Sequence, residues 1–61
     1  MKYTLGSRIK INFGELRNCT GIITRINVCN VNILLDNEVE TRTGIVRKVN
    51  LSPYYIEEEG G

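Results

Sequence analysis

Sixty-one residues, 41% of them hydrophobic and 25% charged, make one small folded domain with too little core to wall off a deep, dry catalytic pocket. The chain has no His and only two Cys, Cys19 and Cys29, so the commonest general base is missing and no zinc-type or redox spacing exists. The net charge of +1 hides an asymmetry: residues 1–56 hold all eight basic groups and four acids, a net of +4, ahead of the acidic run Glu57-Glu58-Glu59.

Ile, Val and Thr supply eight, five and five residues and Ala is absent, a balance that favours sheet over helix. Residues 1–5 read as a lead-in closed by Gly6-Ser7. Residues 8–13 then alternate without a break, which predicts a strand with Ile9, Ile11 and Phe13 inward and Arg8, Lys10 and Asn12 outward. Gly14 ends it. Residues 15–20 have no period and read as a loop, with Leu16 folded back on the core and Asn18 suited to a left-handed backbone.

A second strand is expected over residues 22–26. Ile23 and Ile26 fall on opposite faces of a regular strand, so a bend or bulge is needed there. Residues 27–30 form a turn, and residues 31–35 a third strand with Val31, Ile33 and Leu35 inward. Asp36-Asn37 between apolar runs reads as a two-residue hairpin turn into a fourth strand over residues 38–43, which Gly44 breaks. Residues 45–51 fit a fifth strand or a short helical turn; Gly44 and the β-branched residues favour the strand. Ser52-Pro53 ends that element, Tyr54-Tyr55-Ile56 reads as a closing edge strand, and residues 57–61 as a flexible acidic tail. About five short strands in a meander avoid open edges by curling into a barrel, here a single domain over residues 1–56.

Gly6-Ser7-Arg8-Ile9-Lys10-Ile11-Asn12-Phe13-Gly14, followed after a short loop by Gly21-Ile22-Ile23, resembles a KOW motif. Residues 30–36 look like the strand that usually follows, and Val49-Asn50-Leu51-Ser52-Pro53 like the ending of many SH3-like barrels. The resemblance implies an all-β, five-stranded, SH3-like (KOW-like) partly open barrel. KOW domains touch RNA, DNA or protein, and the matching positions here are turns and core rather than binding residues.

No phosphate loop or nucleophile motif is present, so no enzymatic activity, metal or cofactor is expected. The leading expectation is a nucleic-acid-binding module that uses Lys10, Arg17, Asn18, Arg25, Arg47 and Lys48 to neutralise and position phosphates of RNA or DNA. Tyr54-Tyr55 supplies either a stacking platform or edge packing, and Phe13 belongs to the core. The alternative is a protein-interaction module, an adaptor or inhibitor that pairs through a strand edge or an apolar patch including Leu34, Val28 and Tyr54. Self-association is one form of it, and the Asn- and Ile-rich composition is of a kind common in bacteriophages. The acidic run reads as a solubilising tail or as a competitor for the basic face. The cysteines fall near opposite ends of one hairpin and read as free thiols of a cytoplasmic protein. No stretch reaches the roughly 20 apolar residues of a membrane span.

Overall fold

In the computed structural model, which describes residues 3–59, the chain is all-β. Five strands follow one another: β1 (Arg8–Ile11), β2 (Thr20–Ile26), β3 (Val31–Thr41), β4 (Gly44–Leu51) and β5 (Ile56–Glu58). Short 3-10 turns lie at Gly14–Leu16 and Pro53–Tyr55. Every pairing is antiparallel and the sheet order is β4-β3-β2-β1-β5, so β4 and β5 are its edges. The sheet curls on itself without closing, a partly open barrel.

The core follows from the alternation. Ile9 and Ile11 on β1, Ile23 on β2, Val31, Ile33 and Leu35 on β3, and Ile56 on β5 are buried together with Tyr3. Each such side chain contributes about 1.5–3 kcal/mol by leaving water. The register between β2 and β3 shifts between Ile23 and Arg25. That bulge sets Ile26 opposite the buried Val31, at the end of the strand where Ile26 itself stays exposed. Gly21 lies tight against β3: a Cβ there would collide with the Leu34 carbonyl oxygen. Asn18 has φ 74°, the left-handed geometry expected of it, and Leu16 packs against the core.

Three sequence expectations are corrected. Asp36-Asn37 is not a turn; β3 runs through it for 11 residues, and the chain reverses at Arg42-Thr43 ahead of Gly44, whose φ is +125°. Instead the β3–β4 register shifts between Leu34 and Val39, so β3 bends where a turn was expected. The bend is held from both sides. Arg8 on β1 donates two hydrogen bonds to the Asp36 carboxylate, at 2.7 and 2.6 Å, and Thr20 on β2 donates a third. Arg47 Nε on β4 donates to the Leu35 carbonyl oxygen at 3.2 Å, a carbonyl beside the shifted register.

The second correction concerns the acidic tail. Glu57 and Glu58 lie in β5, paired with Lys10 and Ile9 of β1. Coulomb attraction and backbone pairing act together: Lys10 Nζ is 3.7 Å from Glu57 Oε1, and Arg8 Nε donates to Glu59 at 3.1 Å. The expected tail residues 60 and 61 lie outside the described residues. Third, the closing strand starts at Ile56 and not at Tyr54. Pro53 opens a 3-10 turn, and Ser52 Oγ accepts from the Tyr54 N–H at 3.3 Å, which sends residues 53–55 across before the sheet resumes. Residues 45–51 form strand β4, with no helix.

The Arg8 guanidinium and the Thr20 hydroxyl hold the Asp36 carboxyl at a pKa of about 2, below its ordinary 3.8. The folded chain thus binds the Asp36 proton less readily than the unfolded chain. That stabilisation is complete above about pH 4 and is lost as pH falls through about 2. Urea unfolding of wild type and Asp36→Asn should show a stability gap that is widest above pH 4 and closes towards pH 2. A gap independent of pH would exclude a charge-dependent staple.

Candidate functional site

The six expected nucleic-acid contacts do not gather on one face. Lys10 is paired with Glu57 across β1 and β5. Arg47 is tied to the Leu35 carbonyl and lies close enough to Asp36 to help hold it ionised. Arg17 and Asn18 are exposed in the β1–β2 connection, where the Asn18 N–H donates to the Ile11 carbonyl at 2.7 Å and turns the chain into β2. Arg25 lies near the other end of β2.

Arg25 and Lys48 do share a neighbourhood. Arg25 is opposite Asn32, which is opposite Asn50, while Lys48 is opposite Leu34 one step along the same outer face. Four asparagines close a ring there. The Asn27 amide donates to the side-chain oxygens of Asn30 and Asn32 at 2.8 and 3.0 Å, and the Asn50 amide donates to the same two oxygens. The ring ties the β2–β3 turn to β4. Beside it, Thr24, Asn32, Lys48 and Asn50 line a recess of about 250 Å³. Neither Arg25 nor Lys48 forms an ion pair with another described residue.

A second surface was not anticipated as a site. Phe13, expected in the core, is 55% exposed. The parity of β1 ends at Ile11: the Asn12 N–H donates to the Tyr55 carbonyl at 2.9 Å, and Gly14 turns the backbone at φ +70°. Phe13 therefore leaves the inner face and stacks on Tyr55, with ring centroids 4.3 Å apart and planes 19° from parallel. Tyr54 beside it in the chain is 90% exposed.

Phe13 also forms one wall of an apolar slit of about 260 Å³. Leu16 of the 3-10 turn stands on that wall, and Thr41, Val46, Val49 and Leu51 of the β3–β4 hairpin face it. Val49 is opposite the buried Ile33, and Leu51 opposite the buried Val31, so the slit is lined by the inner face of an edge strand. It opens where the curled sheet fails to close over β4. Glu15 Oε2 accepts from the Arg42 N–H at 3.3 Å and fastens the hairpin tip to the 3-10 turn. The available sequence signal was the broken parity of Val46, Val49 and Leu51, which fits neither a regular strand nor a helix.

Cys19 is half-buried and Cys29 exposed, both as free thiols. Among the described residues no group of His, Cys, Asp and Glu is placed to hold a metal ion, and no helix is long and apolar enough to cross a membrane. No protein-family model matches the chain, and a search of curated proteins finds no match to it.

Replacing Phe13 by Ala removes an exposed stack, which costs about 0.5–1.5 kcal/mol. A buried Phe would cost about 3–5 kcal/mol. Equilibrium urea unfolding distinguishes the two, and a loss in the higher range would place Phe13 in the core.

Proposed function

We propose that this chain is a non-enzymatic binding module whose principal ligand is a segment of another protein, received in the slit beside Phe13. One observation carries the reading: a domain whose core has eight buried hydrophobic side chains among the described residues leaves Phe13, Leu16, Val46, Val49 and Leu51 around a common opening. A small barrel gains stability by burying every apolar group it can, and contiguous apolar surface left open marks an interaction site. The aromatic stack at its rim offers a large, rigid contact area with little conformational entropy to lose. Two free thiols accord with a reducing, cytoplasmic setting.

Selection from a displayed library of random 12-residue peptides tests this directly. Wild-type chain should enrich peptides that lose about tenfold or more in affinity against a folded Phe13→Ala, Val46→Thr double variant. No enrichment, or binders indifferent to the double variant, would overturn the reading.

A second reading, contact with RNA or DNA, is favoured by Arg25 and Lys48 beside the asparagine ring. Two cations without acid partners neutralise phosphates, and asparagine amides hydrogen-bond base edges. The resemblance of residues 6–23 to a KOW motif supports it as well. With only these two cations engaged, affinity should be modest and its logarithm should fall with log salt at a slope of about −1.5 to −2. Fluorescence anisotropy with single-stranded and duplex oligonucleotides, using wild type and Arg25→Glu, Lys48→Glu, measures that slope. Unchanged binding by the double variant would exclude this surface.

A further inference from the structure

The slit lies against a strand that lacks a second partner. Among the described residues, β4 pairs only with β3, so eight residues of backbone present alternate N–H and C=O groups to solvent on the other side. An unpaired edge of this length is a template for another strand. The same strand supplies Val46, Val49 and Leu51 to the slit. A strand laid along β4 would extend the sheet and drop every second side chain into the apolar opening.

Resting on the slit reading above, we infer that the ligand binds as an extended strand added to the β4 edge, with apolar residues facing the slit and acidic residues facing outward. The charge pattern selects this occupant. The exposed charges of β4 are Arg47 and Lys48, both cationic and adjacent. Opposite charges across a strand pair attract and like charges repel. Near the hairpin tip the strand that β4 already pairs with combines an apolar and an acidic residue, with Val39 opposite Val46 and Glu40 opposite Ile45.

A second copy fits less well. Symmetric antiparallel pairing of two Gly44–Leu51 strands centred on residue 47 or 48 sets Arg47 against its own copy or Lys48 against its own copy, a like-charge contact at the centre. The acidic edge of a second copy's β5 offers only three residues. The edge is thus guarded against its own kind and open to an acidic, apolar strand.

The probe is a blocked, fluorescein-labelled decapeptide alternating valine and glutamate, titrated by anisotropy against the full chain. Binding should weaken with salt and fall at least tenfold when lysine replaces glutamate in the peptide. Lys48→Glu in the chain should weaken binding of the glutamate peptide and strengthen that of the lysine peptide. N-methylation separates strand addition from simple apolar contact. Methyl groups on one alternate set of peptide amides should abolish binding, and the other set should leave it within about twofold, because only one edge of an added strand faces β4. Equal effects of the two sets, or equal binding by a helical peptide carrying the same apolar residues, would overturn strand addition and leave the slit reading intact. If no peptide binds and the displayed-library selection is also empty, the slit reading itself fails. Light scattering that shows the chain pairing with itself, with the decapeptide competing, would assign the edge to a second copy and overturn the proposal.

Discussion

The described residues form a single sheet with no α-helix to cover it, and such a sheet can bury a face only by curling until that face meets itself. Everything else in this chain follows from making five short strands curl. Two irregularities supply the curvature, the bulge between Ile23 and Arg25 and the long register shift between Leu34 and Val39. Gly21 lets β2 lie against β3 where a Cβ would clash with the Leu34 carbonyl oxygen. The resulting inner surface is filled almost entirely by isoleucine, valine and leucine, whose branched side chains pack on a pleated wall without long flexible stems.

Curvature has to be held, and here polar side chains hold it. Arg8 joins β1 to the bend of β3 through Asp36 and to the end of β5 through Glu59. Its guanidinium is a planar fork, suited to two-point contact with a carboxylate, which a lysine in the same place could not reproduce. Arg47 caps a carbonyl beside the shifted register, and the asparagine ring fastens the other end of the barrel. These pairs are half-exposed, so each is worth little as an isolated salt bridge. Their value lies in geometry: they define where the strands bend and in which register they meet.

The same arrangement decides what surface remains for a partner. Lys10 and Arg47, which a count of charges would assign to an electrostatic face, are engaged within the fold, and Glu57 and Glu58, which read as tail, lie in its last strand. The open surface is instead the place where curling stops. Five strands this short leave a gap between the β4 edge and the Phe13–Leu16 wall, and the inner side chains of β4 stay partly in contact with solvent. Core incompleteness and binding capacity are one feature.

Much of the core was legible in the residues alone. Period-two alternation put Ile9, Ile11, Val31, Ile33 and Leu35 inward, because a strand has only two faces and one of them must avoid water. The clash of parity at Ile23 and Ile26 required a bulge, and Asn18 required a left-handed turn. What local pattern could not reveal was any feature set by residues distant in sequence. Asp36-Asn37 has turn chemistry, yet Arg8 and Thr20, 28 and 16 residues away, hold it in an extended strand. Glu57 looks like tail until Lys10 lies beside it. Phe13 continues an alternating pattern, but β1 ends two residues earlier, where Asn12 bonds to Tyr55. The sequence by itself therefore determined the strand content and the apolar face, which depend on neighbours one and two residues away. Only the tertiary structure decided where strands bend, which charges are neutralised and where the barrel stays open, because those depend on pairings made across the curled sheet.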